Sequence, residues 1–227
     1  MGSSLCDAVE TKKTELLRQL KEWGDKRLRR FPWRENTTPY RVLVAELLLR
    51  RTTSSAVRRI YEAFLTKYPN PSLLANADTK ELELTLSTIG YHKERSKILK
   101  EVARFIVKEY DGKILGNKEA LMKIPHVGPY TAGAILSFGF GIPSSIVDSN
   151  VERIIKRVFS SSLPDSGVHT AIKKVAEALI SREPLENRLY NLALLDLGAL
   201  VCRYDKPRCA ECPITAVCDF YEATVKT

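Results

Sequence analysis

The chain has 227 residues, 44% of them hydrophobic, which is enough to bury the core of one large domain or two small ones. Its apolar runs all fall short of the roughly 18 residues of a spanning helix, and no secretory or transit segment is evident at its start, so the sequence reads as soluble and intracellular rather than membrane-embedded or exported. Lys and Arg number 36 against 27 Asp and Glu, giving a net charge of +9 and a pI near 9.3; that balance favours a polyanionic partner, nucleic acid foremost.

Helical periodicity dominates and strand-like alternation is nearly absent, predicting an all-α protein of about ten helices. In chain order, Phe31-Pro32-Trp33-Arg34 precedes a helix whose face carries Leu43, Val44, Leu47 and Leu48. Glu46 is a lone carboxylate among these apolar residues, so it needs a partner or a task, and Arg50 and Arg51 end the segment. Pro69 to Pro71 marks a connection. Asp78-Thr79-Lys80-Glu81 is a capping sequence opening a helix with Leu82, Leu86 and Ile89. Gly90-Tyr91-His92 follows, then a stripe of Ile98, Val102, Phe105 and Ile106, a connection from Gly112 to Asn117, and a second cap at Asn117-Lys118-Glu119.

Residues Leu121 to Ala134 read LMKIPHVGPYTAGA: one helix ends, a tight turn over Ile124-Pro125-His126-Val127-Gly128 follows, and a small-residue helix begins. The second helix would present backbone N–H groups and its positive dipole end to an anion, and Gly128 would let a phosphate approach the main chain closely. Gly139 to Pro143 reads as a loop, followed by Asp148 and then Leu163 to Gly167 as a further connection. Ala171, Val175, Ala178 and Leu179 form one more stripe, and Leu192, Leu195 and Ala199 another. At the tail, Cys202, Cys209, Cys212 and Cys218 are spaced C-x6-C-x2-C-x5-C, with Cys6 the one other cysteine. In a reducing compartment this is a metal or cluster site rather than a disulfide framework. The spacing leaves zinc and iron–sulfur open and leans to iron–sulfur, because one C-x2-C pair without histidine is an unusual zinc set.

The hairpin, the Gly/Pro-rich segment followed by Asp148, and the four cysteines, in that order, resemble the helix–hairpin–helix (HhH-GPD) DNA glycosylase superfamily and its endonuclease III-like branch. The resemblance runs from about Phe31 to Cys218. It implies a [4Fe–4S] cluster on the four cysteines, and two helical domains flanking a DNA-binding cleft: a six-helix barrel over 27–142 carrying the hairpin, and a second domain of 1–26 with 143–227 carrying the cluster loop 202–218. Phe31 to Arg34, Ala45 to Leu49 and Leu195 to Ala199 resemble the adenine glycosylase side. The chain stops nine residues after Cys218, so the added domain that reads oxidised guanine in those enzymes is expected to be missing. Glu46 to Thr53, together with Tyr130 in the hairpin helix, looks closest to the archaeal thymine-DNA mismatch glycosylases.

That likeness implies a monofunctional enzyme of base excision repair. It would remove thymine and uracil from G:T and G:U mismatches in double-stranded DNA, acting as a monomer in an archaeal, nucleoid-associated setting. Asp148 would stabilise the positive charge that develops on the sugar and handle the attacking water; as the residue before Ser149 it is equally an ordinary helix N-cap. Tyr130 would line the pocket for the flipped base, where the bifunctional enzymes carry a lysine; the plain alternative is a core tyrosine. Glu46 would contact the base or assist its departure, or form a buried ion pair. Arg50 and Arg51 would enter the duplex or read the opposite guanine, Tyr91 and His92 would form a second insertion loop, and His126, Val127, Gly128 and Thr131 would meet the phosphates of the hairpin. His126 stands where the family hairpin has glycine, with modest strain if that position needs positive φ. Other readings of the same residues are strand incision by a lyase or hydrolytic route, with Lys123 nearby, adenine removal, and non-catalytic binding of mismatched DNA.

Overall fold

The computed structural model describes residues 3–224, and every regular element among them is helical. In chain order they are α1 (Ser3–Arg27), a 3-10 turn (Pro32–Arg34), α2 (Pro39–Leu48), α3 (Ser54–Lys67), α4 (Pro71–Ala75), α5 (Thr79–Leu86), α6 (His92–Tyr110), α7 (Lys118–Lys123), α8 (Pro129–Ala134), α9 (Ser149–Val158), α10 (Val168–Ala178), α11 (Pro184–Leu200) and α12 (Asp219–Thr224). Starts are specified locally. Thr38, Thr53, Asn70, Asp78 and Asn117 each accept a hydrogen bond from a first-turn amide, and proline occupies the first turn of α2, α4, α8 and α11.

The chain divides into two compact units, one spanning Arg30–Ile142 and the other formed by the described residues up to Arg29 and from Pro143 onward. In the first, the faces anticipated on α2 and α5 turn inward, with Leu43, Leu48, Leu82 and Leu86 buried beside Tyr61, Phe64 and Leu74; on α6 Val102 and Ile106 are buried as anticipated, Ile98 and Phe105 are half-buried, and Leu99 is inside as well. Trp33 stacks on Phe31 with ring centroids 4.7 Å apart and meets Tyr61 edge-on. α8 does not end in a loop. It runs on as a π-helical stretch, Ile135–Phe140, closed by Gly141 at φ +68°. Gly139 is therefore helical, contrary to the connection expected from Gly139 to Pro143. A Cβ there would lie 2.7 Å from Pro39 Cα, so the glycine is what lets this stretch back directly onto the start of α2.

In the second unit α1, α9, α10 and α11 share one core, built on Leu16, Leu20, Ile154, Phe159, Ile172, Val175, Leu194 and Leu197. The face expected on α11 from Leu192, Leu195 and Ala199 is only part of the buried surface. Leu192 is buried, Leu195 half-buried and Ala199 exposed, while Tyr190, Ala193, Leu194 and Leu197 are inside as well, because α11 packs against both α1 and α9 and a single stripe cannot describe a helix covered on two sides. Asp196, fully buried on α11, is paired with Arg29, whose backbone N–H and Nε both donate to its carboxylate at 2.7 Å.

Candidate functional site

The hairpin is α7, a turn, and α8. Ile124 leaves α7 in extended conformation, Val127 N–H donates to Ile124 O at 3.1 Å, and Gly128 caps α8. The turn places His126 at φ +63°. The left-handed backbone that glycine adopts freely is thus held here by histidine, whose ring Nε2 lies 3.1 Å from Glu101 Oε2. Gly128 is extended at φ −96°, and a Cβ on it would meet nothing within 4 Å. Its value is an open approach rather than a special backbone angle. Val127 and Thr131 are buried. Their side chains belong to the packing of the hairpin. Tyr130, half-buried, stands in the first turn of α8, and α2, which packs on α8 and its π-helical continuation, carries Glu46, also half-buried.

Arg50 and Arg51 follow α2. Burial pulls Arg50 below the usual arginine range, opposed by the carboxylate of Glu46 one turn earlier; the guanidinium stays charged. Arg50 Nη2 donates to the carbonyl of His126, which fastens this turn to the hairpin turn. Arg51 is exposed at φ +50°, and its guanidinium lies 5.9 Å from the ring centroid of Tyr91. Tyr91 is 63% exposed at φ +51°, directly after Gly90 at φ +73°. His92, the first residue of α6, is half-buried. Arg50, Arg51, Tyr91 and His126 line one cleft of about 340 Å³.

Asp148 caps α9. Its Oδ1 accepts from the amides of Asn150 (2.9 Å) and Val151 (2.8 Å), and its Oδ2 from Asn150 Nδ2 (2.9 Å). Asn150 Oδ1 in turn accepts from Arg153 Nη2 at 2.7 Å, and Arg153 also donates to Gly198 O and Cys202 O at 2.8 Å. A Cβ on Gly198 would lie 2.5 Å from Asn150 Cβ. The glycine therefore sets the approach of α11 to α9 that seats Asn150 against Asp148.

The four tail cysteines are unbridged and half-buried and line one pocket with Ile154, Val158 and Ile214. Arg157, one turn beyond Arg153, donates to Cys202 Sγ at 3.2 Å, to Arg203 O at 2.7 Å and to Tyr204 O at 2.9 Å. Burial pushes the Cys212 thiol up to about 12, and raises those of Cys209 and Cys218. A local positive charge, such as a metal supplies, would oppose that shift and favour the thiolates. Four thiols on the wall of one pocket are a donor set suited to a thiolate-bound metal group.

In the sequence Lys93, Arg95 and Lys97 read as phosphate-facing or solvated, but Arg95 is buried; sequence reasoning passed over Asn150, Arg153 and Arg157. These three had a signal: positions 150, 153 and 157 share one helix face immediately after the aspartate.

Residues 44–178 match the family described as HhH-GPD superfamily base excision DNA repair protein. The chain is 33% identical over 217 residues to the thymine/uracil-DNA glycosylase of Methanothermobacter thermautotrophicus, covering 95% of this chain and 97% of that protein. It is 36% identical over 215 residues to the thymine-DNA glycosylase of Aeropyrum pernix, covering 94% and 95%. The solved structure of a thermostable thymine-DNA glycosylase superposes with a TM-score of 0.88 at 32% identity, over 95% of this chain and 99% of that one. An endonuclease III–DNA complex shares the fold, with a TM-score of 0.79 at 23% identity. With the family match spanning more than half the chain and the hairpin and capping aspartate built as described, the protein belongs to the HhH-GPD superfamily of base excision DNA repair proteins.

Proposed function

We propose that the protein is a monofunctional DNA glycosylase that hydrolyses the N-glycosidic bond of thymine or uracil opposite guanine. The observation that carries the reading is the pairing of residue types at the two motif positions. A fixed carboxylate, Asp148, is held at the N-terminus of α9 by three hydrogen bonds. Tyr130, which cannot form a Schiff base, opens the hairpin helix. The likeness to thymine- and uracil-releasing relatives across nearly the whole chain supports the choice of base.

In this reading Asp148 faces the positive charge that builds on the deoxyribose as the bond lengthens. Tyr130 walls the pocket of the extruded base, and Glu46 touches that base. Flipping costs a few kcal/mol and less at a mismatch, which itself favours G:T and G:U sites. The α8 start and Gly128 take up backbone phosphate, while Arg51 and Tyr91, exposed on adjacent turns, enter the space left behind. The domain reading belongs to the same proposal: the segment 27–142 presents the hairpin, and the remainder presents Asp148 and the cysteine loop. Cys202, Cys209, Cys212 and Cys218 hold a [4Fe–4S] cluster whose role is to brace the C-terminal loop, and Arg157 supplies the adjacent cation. The protein works as a monomer on double-stranded, nucleoid DNA.

The test is the released product. Incubation with a G:T duplex is expected to liberate free thymine, identified by chromatography, in step with abasic sites. Release of adenine from G:A duplexes instead would assign the protein to the adenine-removing side of the family.

A further inference from the structure

Arg95, in the first turns of α6, is only 5% exposed, yet every partner found for its guanidinium is a backbone carbonyl. Its Nη1 donates to Leu47 O and Leu48 O, both at 3.0 Å, its Nη2 to Arg50 O at 2.8 Å, and its Nε to Gly90 O at 3.4 Å. The first two are terminal carbonyls of α2, where a cation complements the helix dipole. The other two are more specific. Arg50 O belongs to the peptide leading into Arg51, and Gly90 O to the peptide leading into Tyr91, and these are two of the four non-glycine residues with positive φ among the described residues. A third, His126, is tied to the same hub because Arg50 donates to its carbonyl.

A buried cation with no carboxylate partner is costly to keep where an aliphatic side chain would pack. The planar fork, with five donors in fixed directions, is suited to holding two separate peptide planes at once in a fixed geometry. Left-handed backbone at non-glycine residues persists only where the surroundings over-determine it. We propose that Arg95 is a positioning residue that locks the Arg50–Arg51 turn to the Gly90–Tyr91 turn, so that the two exposed side chains, Arg51 and Tyr91, enter a duplex as one rigid unit. The role in base extrusion rests on the glycosylase reading above; the coupling of the two turns does not.

The experiment uses the full chain as wild type, Arg95→Met and Arg95→Lys. Cooperative thermal unfolding first establishes that each variant folds. Amide hydrogen exchange is then followed in peptides covering residues 47–53 and 88–95, and single-turnover release of uracil is measured from a G:U duplex and from the same strand with uracil in an unpaired bubble. In Arg95→Met, exchange in both turns is expected to quicken together by about tenfold or more, as a local opening equilibrium shifts. Release from the paired duplex is expected to slow by about tenfold, and release from the bubble to stay within about twofold, since pre-opened DNA no longer needs the wedge.

Arg95→Lys keeps the cation without the fork and is expected to show the same duplex-selective loss; it carries the test alone if Arg95→Met does not fold. Loosening of one turn without the other, wild-type behaviour of Arg95→Lys, or equal slowing on duplex and bubble would overturn the proposal. If the wild type releases no uracil from either substrate, the glycosylase reading fails, and the exchange data still decide the coupling.

Discussion

Before any substrate arrives, Asp148 already accepts three hydrogen bonds, two on Oδ1 and one on Oδ2. A carboxylate has about four acceptor sites, so Oδ2 keeps capacity for a sugar or a water while Oδ1 is spent on the cap. The capping and catalytic readings are therefore compatible, one on each oxygen. Asp148→Asn retains an acceptor for the cap and loses the charge. It is expected to fold, to bind G:T duplex as the wild type does, and to release base about 10²-fold more slowly or worse, measured in single turnover; unchanged rates would remove Asp148 from the chemistry. His126 poses a different question, because it occupies a left-handed position. Glycine there relieves about 1–2 kcal/mol of backbone strain and gives back about 0.5–1 kcal/mol in unfolded-chain entropy. His126→Gly is thus expected to unfold within about 1 kcal/mol of wild type, and a thermal denaturation series checks it.

At the scale of elements, two glycines that look alike in the sequence do opposite things. Gly198 sits where α11 meets α9, and a Cβ would drive into Asn150 at 2.5 Å; Gly128 faces open space. Gly198→Ala is expected to cost about 1–3 kcal/mol of stability as the helices separate, and to slow base release because Asn150 no longer seats Asp148. Gly128→Ala is expected to leave the unfolding midpoint near wild type and to weaken duplex binding by obstructing phosphate approach. Melting curves and binding isotherms on both variants separate the two cases. Sequence distance explains which devices were legible beforehand. The capping bonds of Asp148 and Asn117 span two or three residues, so local pattern exposes them. The bonds of Arg95 span 45 to 48 residues back to α2, and nothing near Arg95 in sequence announces them. The close approach at Gly139 was hidden for a related reason, since the backbone it meets is Pro39, a hundred residues away.

For the whole molecule, the all-α architecture and the family were readable from three local motifs in order, while the packing of α11 between two helices was not, because burial on two sides erases the stripe that marks one-sided burial. Arg153 and Arg157 hold the carbonyls of the cysteine loop from α9, and in the proposed reading the four half-buried thiols are braced by a [4Fe–4S] cluster. Cys212→Ser is expected to lose bound iron and visible absorbance and to unfold at lower temperature; wild-type protein that is colourless with one zinc per chain would replace the cluster by a single ion.

In the proposed reading this scaffold removes a mispaired pyrimidine without cutting the backbone, and a strand-cleavage assay decides it. Duplexes labelled on the target strand and containing G:T, G:U, G:A or thymine glycol are incubated with the protein, and each sample is divided, half being treated with alkali. Strand breaks at G:T and G:U that appear only after alkali are the predicted result. Breaks without alkali would contradict it, since the protein would then be incising the backbone itself, and the part assigned to Tyr130 would pass to another residue, Lys123 first.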